Sequence, residues 1–288
     1  MTEPEFLQHP FRRRDGIASG LTARQVNGSR FRLVTKDVHL AVEAKLDLPM
    51  RCAAFQLAID SPLVFSHFTA AELYDVPIAR DPKVHISLCS QIEPRMRGLV
   101  AHRVLHLGDV WTLGDLPVTS PGRTFVDLAS KLDLLSLVIA GDVLSSRSSL
   151  SEIERALRTG SGRRGIRLAR EARTLLNPAS KSAMETRLRL ILVIGGVPSL
   201  AVNRPAVGRD GRTFATPDLG EHVVLVGLEY EGEHHQSDPR QWERDIKRDA
   251  AYRDNGWHLI KVTKRDIFER PDWIVNEVAT ALRARGLR

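Results

Sequence analysis

Over residues 1–50 the apolar positions come in short runs. Phe11 to Ser19 carries a helical pattern that Gly20 ends, and Thr22 is placed to cap a second helix through Ala23-Arg24-Gln25-Val26. Arg30 to Leu40 then alternates polar and apolar around a turn-like Lys36-Asp37, the pattern of a β-hairpin. Two short helices, a glycine turn and a basic hairpin compose a winged helix-turn-helix, in which the second helix enters the major groove and the hairpin lies on the backbone. Arg24, Arg30 and Arg32 are its candidate phosphate contacts, although an α+β cap with exposed arginines fits the same pattern.

Residues 51–145 alternate between the two periods. Cys52–Ile59 and Ser66–Leu73 are expected as helices, Val84–Leu88 and Val100–Val104 as neighbouring strands, and Pro121–Ala129 as a helix with proline in its first turn. Residues 146–178 are basic and helical, and Ser151-Glu152-Ile153-Glu154 places acids in a first turn, where they suit the helix dipole. Thr159–Gly162 interrupts, and a following helix is expected to carry Arg163, Arg164, Arg167, Arg170 and Arg173 until Asn177-Pro178. That spacing describes an arginine face lying along phosphates, or a solvated helix.

From Ser180 the pattern changes again. Ser182, with Glu185 three residues on, is a capping-box pattern opening a helix that Gly195-Gly196 ends. Leu200–Arg204 and Thr213–Leu219 are expected as strands, with Gly208–Gly211 as a turn. A third strand, Val223–Glu231, is apolar until its end and then abruptly acidic.

At 288 residues the chain has room for one large or two to three small domains. No apolar run is long enough to cross a bilayer, so no membrane partner is expected. The opening MTEPEFLQHPFRRRDG lacks an apolar core followed by a small-residue cleavage site, and a cytoplasmic location is expected. Cys52 and Cys89 have no metal-ligand spacing and read as small core residues. His67, His85 and His102 share no common spacing and read as structural or surface groups; Trp242, Trp257 and Trp273 read as packing residues. The net charge of +7 favours a polyanionic partner.

The acidic strand end carries the chemistry. Strand residues i and i+2 share a face, so Glu229 and Glu231 project together, with Asp218 near the end of a neighbouring strand. Uncompensated carboxylates repel one another, and a divalent cation removes that cost. Oxygen ligands suit Mg2+ or Mn2+, and such a metal activates water and stabilises charge building on a phosphodiester. His234 and His235 follow Gly232, and either is a candidate acid or base near neutral pH; along an extended chain they point to opposite sides.

The segments SHFTAAELYDVPI, VHISL and LPVTSPGRTFVDLA, with the preceding hairpin, resemble the AbiEi-type antitoxins of actinobacteria over roughly the first half of the chain. That resemblance implies DNA binding, commonly at a promoter, and a cognate toxin as partner. The ordered series SAMETRLR, TPDLG, LEYEGEHH, WERDIKRDAAYRDNGWHLIKVT and a closing amphipathic helix resembles the very-short-patch-repair-like PD-(D/E)XK nucleases over about residues 180–285. It implies Asp218 and Glu229 as metal ligands, Glu185 near the metal, and His235 after the post-strand glycine. Asp245 and Arg248 map onto an acidic-then-basic pair, a spacing that also fits a plain ion pair, and Lys261 onto a position usually held by arginine. The signature lysine is absent, and Glu231 stands where the relatives commonly carry aspartate.

The expected architecture is multidomain, α/β and α+β. It comprises a winged helix-turn-helix over 1–50, an AbiEi-like α/β domain over 51–145 and a basic helical linker over 146–178. A restriction-endonuclease-like mixed sheet flanked by helices fills 179–288. Catalytic candidates are Glu185, Glu231, His235 and Asp245, metal ligands Asp218 and Glu229, and nucleic-acid contacts Arg24, Arg30, Arg32, Arg163, Arg164, Arg167, Arg248 and Lys261. Two functions follow: a DNA-binding, Mg2+- or Mn2+-dependent endonuclease, or an antitoxin-type regulator whose nuclease fold only binds. DNA or RNA as substrate and the oligomeric state stay open.

Overall fold

The computed structural model describes residues 8–90, 94–208, 210–232 and 239–287. The chain divides into two compact units, one of Met1–Leu132 with Ser151–Ala169 and one of Asp133–Leu150 with Arg170–Arg288. It is a mixed α/β protein with several sheets, and no described helix is long and apolar enough to cross a membrane.

The first unit opens with β1 (Phe11–Arg12), α1 (Arg13–Ala18), α2 (Ala23–Val26), β2 (Phe31–Thr35) and β3 (Val38–Ala41), the strands forming an antiparallel sheet of order β1-β3-β2. Phe11 and Arg12 pair with His39 and Val38 instead of starting a helix. Phe11 gains more as a buried strand residue: it packs with Val26 and meets Phe31 edge-on at 5.2 Å between centroids. Thr22 caps α2 through a full capping box with Gln25. The hairpin turns at Lys36-Asp37, where Asp37 adopts a left-handed φ of 57°.

The helix α3 (Leu48–Ala58) packs on this sheet and leads to β4 (Leu63–Phe65), α4 (His67–Leu73), β5 (Val84–Leu88), β6 (Leu99–Arg103), β7 (Val110–Leu113) and β8 (Leu116–Thr119). Their sheet runs β6-β5-β4-β8-β7, with β5–β6 and β4–β8 parallel. The helix α5 (Pro121–Leu128), capped by Ser120 and started by proline, is buried along its whole length. The next helix, α6 (Leu134–Ser146), belongs to the second unit, and the chain returns with α7 (Leu150–Thr159) against α5.

The helix α8 covers Ile166–Thr174, so Arg163 and Arg164 precede it and do not join an arginine stripe with Arg167 and Arg170. Gly162 and Gly165, both at φ 84°, turn the chain there, and a side chain on Gly165 would sit 2.4 Å from the Ala129 carbonyl oxygen. The close approach fixes where Arg163 and Arg164 stand.

The second unit continues with α9 (Ala183–Ile194), β9 (Ala201–Val202), β10 (Ala206–Val207), β11 (Thr213–Ala215), β12 (Leu219–Glu221), β13 (Val226–Glu231), α10 (Pro239–Asp254), β14 (His258–Thr263), α11 (Lys264–Glu269) and α12 (Pro271–Ala284). A four-stranded mixed sheet of order β14-β13-β12-β9 is its centre, with β13–β14 parallel and the other pairs antiparallel. The expected strand over 213–219 is two elements: β11 pairs with β10 in a separate hairpin, and β12 starts after Asp218. The acidic strand starts at Val226, not Val223, because Leu225 takes a left-handed φ of 58° and ends a turn.

Alternation along β13 and β14 divides the sheet's faces. Val226, Leu228, Ile260 and Val262 bury into a core with Leu188 and Leu192 of α9 and with Ile274 and Val278 of α12. Glu229, Glu231 and Lys261 lie on the opposite face, where α10 packs. Beside them Tyr252 and Trp257 form a small core with Ala206 and Phe214, so Trp257 is a packing residue. Trp273 is partly exposed, with the Arg270 guanidinium over its ring. Cys52 is buried as expected; Cys89 is exposed and is not a core residue.

Candidate functional site

The sheet register assembles the acidic cluster. Leu219 pairs with Leu228 in the antiparallel ladder, so Asp218, one residue before, falls opposite Glu229. Glu229 pairs with Lys261 in the parallel ladder on its other side. Asp218, Glu229 and Lys261 therefore span three neighbouring strand positions on one face. Asp218 Oδ2 accepts the Tyr230 N–H at 2.7 Å, and its backbone carbonyl accepts the Asn203 N–H at 3.0 Å.

The α10 helix lies over this face and supplies Asp245, Arg248, Asp249 and Tyr252, spaced i, i+3, i+4 and i+7 on one stripe. Glu229 is 5% exposed; its Oε1 accepts the Tyr252 hydroxyl at 2.9 Å, and its Oε2 lies 3.0 Å from the Arg248 guanidinium. Arg248 also stands 3.6 Å from Asp245, the ion pair expected from their spacing. Lys261 Nζ reaches Glu231 at 3.0 Å and Asp249 at 2.7 Å.

Glu185 enters from the first turn of α9. Its backbone N–H donates to the Ser182 hydroxyl, but its carboxylate does not return to Ser182 as a capping box requires. Glu185 Oε2 accepts instead from the Lys181 N–H at 2.9 Å and from the Asn203 amide at 2.6 Å.

Two acids feel this crowding. Burial pushes the Asp218 carboxyl up to about 6, the Tyr230 N–H opposes that, and the charges of Glu185 and Glu229 add to it. Burial also raises Glu229, while Arg248 and Tyr252 hold it down. The strand-end glutamates are thus partly neutralised by the chain's own cations, a compensation the sequence pattern hides. Sequence reasoning missed Asn203, Asp249 and Tyr252; the stripe spacing from Asp245 to Tyr252 was the available signal for the last two.

His235 lies outside the described residues. Among the described residues no group of three or more His, Cys, Asp or Glu is spaced to hold a metal ion. Of the candidate nucleic-acid contacts, Arg24 is exposed on α2 and Arg30 is exposed just before β2, with its guanidinium over the Phe31 ring. Arg32 turns inward and donates to the Ala44 carbonyl. Arg167 is exposed on α8, whereas Arg248 and Lys261 engage carboxylates of the site.

No protein-family model matches the chain. Two Mycobacterium tuberculosis sequences, Uncharacterized protein MT2308 of strain CDC 1551 / Oshkosh and Uncharacterized protein Rv2248 of strain H37Rv, are each 30% identical to it over 251 residues, which is 83% of this chain and 89% of each relative. The protein belongs to the family of these two M. tuberculosis proteins.

Proposed function

We propose that this is a DNA-binding protein whose second unit is a metal-dependent endonuclease of PD-(D/E)XK type. The observation that carries the reading is Asp218, a carboxyl raised to about 6 and set beside Glu185 and Glu229 where two strands meet. Such a cluster is destabilising as it stands, and a hard divalent cation relieves it. Asp218 and Glu229 fit Mg2+ or Mn2+, which is commonly held by one or two carboxylates and keeps several waters. The cation supplies charge stabilisation for phosphodiester cleavage.

The chain's own groups do the rest. Tyr230 and Tyr252 fix the two carboxylates by hydrogen bonds. Asn203 orients Glu185. Arg248 holds Glu229 until substrate phosphate or a cation competes for one of the pair. Lys261 brings an ammonium to Glu231 from the neighbouring strand, although the signature lysine itself is absent from β13. His235 is the candidate proton carrier. In the first unit, α1, α2 and the β2–β3 hairpin fit a winged helix-turn-helix, with Arg24 and Arg30 on phosphates. A cleavage assay with Mg2+ or Mn2+, comparing wild type with Asp218→Ala, tests the proposal.

A second reading rests on the compensation just described. Glu229 and Glu231 have Arg248 and Lys261 as partners without any metal, which favours a nuclease fold retained for binding in an antitoxin-type regulator. It predicts salt-sensitive binding at the protein's own promoter without cleavage, and a cognate toxin as partner.

A further inference from the structure

The three histidines without common spacing in the sequence meet in the first unit. The rings of His67 and His102 stack at 3.6 Å between centroids, and His102 Nε2 lies 2.9 Å from His85 Nδ1. Strand register brings them together: Phe65 on β4 pairs with Ile86 on β5, next to His85, and Ser87 pairs with His102 on β6. His67 stands one residue beyond the end of β4, after Ser66, and holds a left-handed φ of 51°, a strained backbone for a residue with a side chain.

Asp81 Oδ2 lies 3.0 Å from His85 Nε2, and its charge opposes the burial that lowers His85. His85 Nδ1 and His102 Nε2 share one hydrogen bond, for which one ring supplies the proton and the other the lone pair. Burial takes His67 and His102 down to about 3, so both are uncharged at neutral pH.

His67 and His102 line a cavity of about 200 Å3 whose charged wall is Arg103, Arg123, Asp127, Arg163 and Arg164. Arg123 and Asp127 are buried one turn apart on α5, with Arg123 Nε donating to Asp127 Oδ1 at 2.8 Å. The Arg163 guanidinium stands 3.5 Å from the same oxygen. Asp127 Oδ2 is buried without a hydrogen-bond partner among the described residues. Burial and the neighbouring Arg123 also hold Arg163 below the usual guanidinium range. Four arginines and one carboxylate thus line the cavity, with two of the guanidiniums directed at Asp127 Oδ1. Such a wall is matched by an anion.

We propose that this cavity binds a phosphate monoester, its phosphoryl oxygens on the arginines. Drug-sized pockets run to roughly 300–1,000 Å3, so this cavity takes a phosphoryl group and about a sugar's worth of the ester. The source is a free nucleotide or sugar phosphate, or the phosphorylated end of a nucleic acid. The proposal uses only residues of the first unit and does not depend on the carboxylate cluster.

Isothermal titration of the full chain tests it, with inorganic phosphate, a nucleoside 5′-monophosphate, and one short oligonucleotide bearing a 5′-phosphate or a 5′-hydroxyl. The expected result is saturable phosphate binding that Arg163→Gln weakens at least about tenfold, with the unliganded melting temperature unchanged. If Arg163→Gln lowers that temperature, Arg164→Gln, in an exposed side chain, carries the same comparison. Tighter binding of the monophosphate assigns a small-molecule source, and preference for the 5′-phosphorylated over the 5′-hydroxyl oligonucleotide assigns a nucleic-acid end. Absence of saturable binding of every phosphate at about 10 mM, or binding that both arginine variants leave intact, overturns the proposal.

Discussion

Asp218 Oδ2 accepts the backbone N–H of Tyr230 at 2.7 Å, tying the carboxylate that precedes β12 to the middle of the acidic triplet on β13. The strand register sets Asp218 opposite Glu229, and this bond anchors its carboxylate there. It also stabilises the ionised form of Asp218, yet burial wins and the carboxyl sits near 6.

Stability should record that contest. An acid whose folded value is raised stays protonated in the folded chain after the unfolded chain has ionised. Its effect is neutral below the ordinary 3.8, becomes increasingly destabilising up to about 6, and is constant above. Asp218→Asn is expected to melt with the wild type near about pH 4 and to exceed it by about 1–2 kcal/mol at about pH 7.5, after allowance for partial exposure. Mg2+ should raise the wild-type melting temperature and leave that of the variant unchanged. Thermal melts at the two pH values, with and without Mg2+, check both parts.

Arg248→Ala removes the cation from Glu229 Oε2 while leaving the Tyr252 hydroxyl in place. Arg248 is about half exposed, so the expected loss is about 1–2 kcal/mol in denaturant unfolding. Arg248→Lys should recover part of it.

A deeper pair holds the second unit together. Asp142, 1% exposed, receives Arg189 and the Thr186 hydroxyl on Oδ2, each at 2.7 Å, and the Asn177 N–H on Oδ1 at 2.7 Å. Arg189→Met strands that charge and is expected to cost about 3–5 kcal/mol by urea unfolding. Adding Asp142→Asn should return a large part of the loss.

For the first unit, Arg24→Ala should weaken DNA binding about equally for all sequences and lower the slope of log affinity against log salt by about 1. Fluorescence anisotropy across a salt series reads the slope.

Local patterns carried the fold well where they were strong. The Thr22 cap, the turn at Lys36-Asp37 and the strand Val84–Leu88 stand where alternation and capping chemistry put them. Strand limits near the site were less legible, because Leu225 in a left-handed turn and the separate β10–β11 hairpin are decided by tertiary packing around Tyr252 and Trp257. The carboxylates of the site were legible from their spacing on β13; their neutralisation by Arg248 and Lys261 was not, since it needs the register of β14 and the placement of α10. The histidine cluster was invisible for the same reason: it joins a helix start and two strands through non-local pairing.

Metal-dependent cleavage decides the central claim most directly. Supercoiled plasmid incubated with the purified chain and Mg2+ or Mn2+ should be nicked by the wild type. Asp218→Ala, shown to be folded by circular dichroism and to bind DNA as the wild type does, should leave it intact. Intact plasmid and intact RNA after prolonged incubation of the wild type with either metal, or nicking that Asp218→Ala leaves undiminished, would contradict the account.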